Sequence, residues 1–271
     1  MTRPIALVTN DDSIVSPLLT PLVEMASTIC DVYVVVPASE QSWIGRAFSR
    51  HHGIEVKRID KFNVPTWTIS GTPSDCANIG IHNLLPQKPD IVLSGINIGY
   101  NATSTFIYSS GTVAGALEGA FHSIPSIAFS KSLPEASYHS ITESHRIEDS
   151  DVIAGIEIDR GYIPRLIESA MEAGPCFGRV WNVNFPEFTH QDSPFRYTQP
   201  AAVKPFSFFK VDADGHASFH FSTRDKEDLP EDSDIACIRR GAISVSALDF
   251  SHLSPAHPTD SSDPLNLHLL S

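Results

Sequence analysis

The stretch Ile5-Ala6-Leu7-Val8-Thr9-Asn10-Asp11-Asp12-Ser13 decides the fold. Its first five residues are apolar or β-branched without a polar break, the mark of a short strand buried on both faces, as in a parallel sheet. Two carboxylates follow at once. Ser16-Pro17 then reads as the N-cap and first residue of a helix, with Leu18, Leu22, Met25, Ala26 and Ile29 on one face. A strand, a polar turn and a helix make the repeating unit of an α/β fold.

Outward from that unit the rhythm repeats. Val32–Val36 is a second strand closed by Pro37, and Thr66–Ser70 a third, feeding a helix capped by Thr72 with Pro73 as its first residue. Ile91–Ser94 is the next strand. A loop rich in Gly, Asn, Ser and Thr is expected from Gly95 to Thr112, then a helix with Val113, Ala116, Leu117, Ala120 and Phe121 on one face, then strand Ser126–Ser130. This pattern predicts a doubly wound, mostly parallel Rossmann-like sheet. Residues 134–160 are polar and acidic and read as a loop with some local helix. Ile163, Leu166, Ile167, Ala170 and Met171 mark one more amphipathic helix, ended by Gly174-Pro175, and Val180–Phe185 returns to strand. From 196 to 250 the pattern is strand-like with turns, as at Ala217–Phe221 and Ile243–Leu248. The expected division is a catalytic domain over 1–195 and a β-rich C-terminal extension over 196–271. That extension is assigned to oligomerisation, with a tail beyond His252 poorly ordered or docked on a partner.

Composition narrows the classes. The 271 residues are 41% hydrophobic and 19% charged, ordinary for a globular protein. No apolar run reaches the roughly 20 residues that span a bilayer, and no signal peptide is read at the N-terminus. Four widely separated cysteines suit reduced thiols and a cytoplasmic protein. A formal net charge of −13 argues against a nucleic-acid footprint, though a small anionic substrate could still bind at a local positive site.

In an open parallel sheet, ligands bind beyond the carboxyl ends of the strands. Asn10-Asp11-Asp12-Ser13, the loop Pro37 to Gly45, Gly71-Thr72-Pro73-Ser74-Asp75 and Gly95-Ile96-Asn97-Ile98-Gly99-Tyr100-Asn101 all fall there. Adjacent carboxylates repel unless solvated, protonated or bridged by a cation. Asp11 and Asp12 therefore read either as turn or capping residues or as hard oxygen ligands for Mg²⁺ or Mn²⁺. Tyr108-Ser109-Ser110-Gly111-Thr112 opens a helix, where free N–H groups can cradle phosphate or Ser110 or Thr112 can simply cap. There is no Walker loop, no GxGxxG after the first strand and no GxSxG elbow. His51, His52 and His82 read as surface or satisfied residues. Trp43 reads as a packing residue, with base stacking as the second possibility.

With these residues assembled, the chain resembles the SurE family of survival-protein phosphatases, the 5′/3′-nucleotidases. The likeness rests on VTNDD at 8–12, PASEQSWIG at 37–45, SGTPSDC at 70–76, PDIVLSGINIGYN at 89–101 and YSSGTVAGALEG at 108–119. It returns in VWNVNFP at 180–186 and SDIACIRRGAISVSALDFS at 233–251. The resemblance implies one divalent metal ion per subunit, Mg²⁺ or Mn²⁺, on Asp11, Asp12, Ser42 and Asn97. It makes Asp11, Asp12 and Asn97 catalytic and gives phosphate to Asn101, Ser109, Ser110, Gly111 and Thr112. It further implies hydrolysis of nucleoside 5′- and possibly 3′-monophosphates by a homodimer or homotetramer. Three departures stand out: Ser13 replaces the usual glycine after the acid pair, residues 134–160 are longer and more acidic, and the tail lacks a convincing C-terminal helix. Two alternatives stay open. One is a phosphatase of another small phosphorylated metabolite or short polyphosphate; the other is a non-catalytic nucleotide-binding protein on the same fold.

Overall fold

A computed structural model describes residues 3–204, 207–219 and 229–252. The expected tail beyond His252 and the last residues of the Ala217–Phe221 strand lie outside the described residues. Strands β1 (Ile5–Thr9), β2 (Asp31–Pro37), β4 (Thr66–Ile69), β5 (Ile91–Ile98), β6 (Ser126–Lys131) and β7 (Arg179–Phe185) run parallel. β3 (Val56–Ile59) flanks β4 in the antiparallel sense. On the far side β11 (Ile243–Asp249) is antiparallel to β7 and carries β8 (Phe195–Tyr197) as the outer strand. The nine strands lie in the order β3-β4-β2-β1-β5-β6-β7-β11-β8. Strand order reverses at β1, whose neighbours are β2 and β5, and that is where a doubly wound sheet opens its crevice. The segment read as a C-terminal extension thus supplies two strands to the main sheet. Its own hairpin is β9 (Phe209–Val211) paired with β10 (Ala217–Phe219).

Burial on both faces explains the unbroken apolar run of β1. Ala6 and Val8 pack with α1 (Leu19–Ile29) and α6 (Ser150–Glu172) on one side; Leu7 packs with Cys76 and Ile81 on the other. The second layer is α2 (Pro73–Ile79), extended by a π-helical turn Gly80–Leu84, and α4 (Gly111–Phe121). Full burial of each Leu, Ile or Val in these layers contributes about 2 kcal/mol. The α2 cap is as expected: Thr72 Oγ1 accepts from the Asp75 N–H at 3.1 Å and the Thr72 N–H donates to Asp75 Oδ2 at 2.9 Å.

Four expectations need correction. Ser16 is not a helix cap: Ser16 N–H bonds Ser13 O and Leu19 N–H bonds Ser16 O, so the chain turns first and α1 starts only at Leu19. The Gly95–Thr112 loop is partly regular, because β5 continues to Ile98 and α3 (Thr103–Ser109) follows. Residues 134–160 are mostly helical. They form α5 (Glu135–Ser144) and the first half of α6, which runs 23 residues through Pro164 from an Asp149 cap. A short helix α7 (Asp234–Arg239) also stands in the segment read as strand and turn.

At the end of β6, Lys131 is 1% exposed and its ammonium lies 2.8 Å from Asp159 on α6. It also donates to Pro186 O at 2.7 Å and Thr189 Oγ1 at 3.1 Å. Burial pushes the Asp159 carboxyl up and the Lys131 ammonium down, and each partner opposes the other's shift.

Candidate active site

Asp11 and Asp12 follow β1 at the reversal of strand order, and Asn97 stands near the end of the neighbouring β5. Between Ser94 and Asn97 the β5–β6 register shifts by a bulge, a device that re-aims the residues after it. The Asp11 carboxylate accepts from Thr112 Oγ1 at 2.5 Å, and Thr112 Oγ1 lies 3.2 Å from Asn97 Oδ1. The backbone N–H groups of Asp11 and Thr112 also reach the Asp11 carboxylate. The Asp12 carboxylate accepts from the Ile98 N–H at 2.9 Å. Asn97 Nδ2 donates to Gly99 O at 2.7 Å, leaving its carbonyl oxygen toward the acids.

Gly111 is what lets α4 come this close. A Cβ there would stand 2.8 Å from the Asp11 Cβ and 2.9 Å from Asp11 Oδ2, distances no side chain tolerates. The N-terminal end of α4 therefore abuts the carboxylate directly, where its partial positive charge favours the ionised form. Burial nonetheless dominates and raises Asp11 from 3.8 to about 6. Asp12 is raised as well, by burial first and then by the charge of Asp11, with Glu40 adding to both.

Asp11 and Asp12 form no ion pair with a basic side chain among the described residues. A buried, doubly acidic pocket with amide and hydroxyl oxygens around it suits a hard divalent cation, which would supply the missing positive charge. Only two of the four expected ligands are acids. Accordingly, no group of three or more His, Cys, Asp or Glu is arranged to hold a metal among the described residues.

Of the expected ligands, Ser42 is held differently from the rest. Its loop is pinned to the site, since the Gln41 N–H donates to Asp11 O at 2.8 Å and the Gly45 N–H to Ser109 O at 2.9 Å. Its hydroxyl, however, is exposed and donates to Glu40 Oε1. Among the expected phosphate residues, Ser110 is the N-cap of α4, accepting from the Val113 N–H at 3.0 Å. The Ser109 hydroxyl donates to Thr105 O at 2.9 Å, so its rotor must turn before it can serve an anion. Trp43 packs against Phe106 of α3 and against Phe208 and Phe219 beside and within the β9–β10 hairpin, at centroid distances of 5.1–5.4 Å. His51 and His52 are exposed, and His82 Nε2 lies 3.3 Å from His122 Nε2.

Sequence reasoning missed the support behind Asn101. The Asn101 N–H donates to Asn184 Oδ1 at 2.8 Å, its Nδ2 to Ser130 Oγ at 2.9 Å, and its carbonyl accepts from Asn182 Nδ2 at 2.8 Å. Asn182 and Asn184 are fully buried on β7. The signal was available: two asparagines at i and i+2 inside an apolar strand must find partners on one face. Asp234 was missed too. Its carboxylate takes the N–H groups of Thr103 at 2.7 Å, Ala201 at 3.1 Å and Ile235 at 2.7 Å, binding α7 to the loop after β5.

Comparison with known proteins gives one answer. The survival protein SurE family model matches residues 6–205. A 5′-nucleotidase SurE of Methanopyrus kandleri is 31% identical over 252 residues, covering 89% of this chain and 90% of the relative. A 5′-nucleotidase SurE of Geobacter sp. strain M21 is 34% identical over 247 residues, covering 89% and 91%. The crystal structure of the SurE protein from Aquifex aeolicus superposes with a TM-score of 0.68 at 25% identity, covering 99% of this chain and 100% of that one.

Proposed function

Because the chain belongs to the SurE survival-protein family, whose relatives are 5′-nucleotidases, we propose that it hydrolyses nucleoside 5′-monophosphates, with 3′-monophosphates as a second substrate class, using a divalent cation at Asp11 and Asp12. The observation that carries the reading is the acid pair, with Asp11 4% exposed and bonded to Thr112 at the N-terminal end of α4, and with no basic partner among the described residues. A cation suits that pair, and a helix N-terminus suits the phosphate that the cation would bring.

Asp11, Asp12 and Asn97 would hold Mg²⁺ or Mn²⁺, with Ser42 joining once its hydroxyl leaves Glu40. Bound there, the cation supplies Lewis-acid polarisation of a phosphoryl oxygen and a more acidic water. Thr112 keeps Asp11 in one orientation through its hydroxyl and backbone N–H. The α4 N-terminus at Gly111 and Thr112, together with Asn101 and Ser109, lines the place where charge accumulates on the phosphoryl group. Ser110 fixes that turn by capping it. Asn182, Asn184 and Ser130 hold Asn101 against drifting, which preserves the in-line geometry that phosphoryl transfer requires.

No helix among the described residues is long and apolar enough to cross a membrane. We place the enzyme in the cytoplasm, where its four free cysteines stay reduced. Residues 196–271, which expose Tyr197, Phe209 and Val211, are assigned to assembly of a homodimer or homotetramer. The test is a panel of nucleoside 5′- and 3′-monophosphates, sugar phosphates and short polyphosphate, assayed with Mg²⁺, with Mn²⁺ and with chelator. Metal-dependent release of phosphate from nucleoside monophosphates is expected. A preference for sugar phosphates would redirect the substrate, and no turnover with any metal would sink the reading.

A further inference from the structure

The rim of the site carries a residue that none of the matched motifs contains. Tyr138 lies on α5, inside the 134–160 segment where the chain departs from the family pattern. Its ring rests over Gly99: a Cβ at Gly99 would stand 3.5 Å from Tyr138 Cε2 and 3.9 Å from Asn97 Nδ2. Ring and carboxamide thus flank the same small space above the end of β5, which is open because Gly99 has no side chain. Gly99 has a φ of 102°, where a larger residue would be strained.

The helix that presents Tyr138 is anchored. Ile141 is 1% exposed in the main core, Ser137 Oγ donates to Asp149 Oδ2 at 3.0 Å, and Asp149 caps α6. The tyrosine is 39% exposed at the rim, and its hydroxyl makes no hydrogen bond among the described residues. Burial first, and then the charges of Asp12, Glu40 and Asp11, push the Tyr138 phenol up. An unpartnered donor at the rim beside Asn97 has use for a ligand oxygen that arrives with the cation.

We infer that Tyr138 contacts the substrate, donating a hydrogen bond from its hydroxyl to a phosphoryl oxygen of the bound phosphomonoester beside Asn97. This inference rests on the phosphatase reading. It adds a rim donor beside Asn97 and makes α5 part of the substrate site.

The test is Tyr138→Phe, which keeps the ring and removes only the donor. A hydrogen bond to a charged oxygen corresponds to a loss of about ten-fold or more in affinity. The variant should lose about that factor in kcat/KM on a nucleoside 5′-monophosphate and on p-nitrophenyl phosphate alike. Calorimetry on the Mn²⁺-loaded protein should show inorganic phosphate weakened by a similar factor, with the thermal midpoint unchanged. Phosphate affinity and kcat/KM both near wild type would overturn the inference. So would a loss confined to the nucleotide, which would move the contact to the nucleoside. If the wild type bound phosphate but hydrolysed no monophosphate, the function would fall while calorimetry still decided the contact.

Discussion

Asp159 and Asp11 are both almost fully buried, at 2% and 4% exposure, and burial raises the pKa of both. Their surroundings differ. Asp159 has the Lys131 ammonium at 2.8 Å, held in turn by Pro186 and Thr189, so its charge is matched inside the fold. Asp11 has another carboxylate next to it and only neutral donors around it. The first arrangement is complete as folded and ties β6 to α6. The second is short of positive charge, and the deficit sits where the sheet opens its crevice. Acidity alone does not separate a structural carboxylate from a functional one; the presence or absence of an internal counter-charge does.

The contrast can be broken most easily at Asp11. Asp11→Asn is expected to lower turnover by about 10³-fold, the scale of several kcal/mol of cation-assisted stabilisation, while the fold keeps or gains stability. Near-normal steady-state kinetics would end the comparison. Lys131→Met should have the opposite profile. Stranding Asp159 without its partner costs about 3–5 kcal/mol, read as a lower midpoint in urea. Adding Asp159→Leu should restore most of that loss, and a single variant as stable as wild type would show that the pair is dispensable.

Much of this contrast was legible before any coordinates, and the reasons differ by region. The strand–helix rhythm of residues 5–131 showed because parallel strands buried on both faces read as apolar runs, and because Thr72-Pro73 and Ser110 are true caps. The helices within 134–160 were underestimated because α5 is polar and the first half of α6 carries a buried aspartate, whereas the apolar face from Ile163 to Met171 reads as helix. Ser16-Pro17 looked like a cap, yet its backbone is spent on two successive turns. At the site, Asp11 and Asp12 stood out from their place after an apolar strand, and Asn97 came from the family resemblance. Asn184, Asp234 and Tyr138 could not be named, because their contacts span between 39 and 131 positions in sequence or depend on an unforeseen helix.

Three smaller effects sharpen the comparison. A divalent cation at about 100 times its Kd should stabilise the wild type by about 2.7 kcal/mol, and Asp11→Asn should lose that gain. The pH dependence has a definite sign. A carboxyl raised from 3.8 to about 6 favours the folded state while protonated, so metal-free protein should lose stability as pH rises from about 4 through 6. Saturating cation should flatten that slope in thermal melts; an unchanged slope would mean the cation binds elsewhere. The smallest effect concerns Ser13, which sits at φ 67° where glycine is at ease. Ser13→Gly should stabilise by up to about 1 kcal/mol and leave kcat close to wild type. A large fall in kcat would instead give the Ser13 hydroxyl a part at the site.

The placement of β11 bears on how the protein is made. It is the final described strand in chain order, yet it lies between β7 and β8. Until about residue 249 has left the ribosome, β7 presents an unpaired edge and β8 has nothing to join. During that interval the nascent chain carries an open strand that could pair with another copy. A chain truncated before Ile243 should therefore be recovered in aggregates, even though it retains every residue of the candidate site.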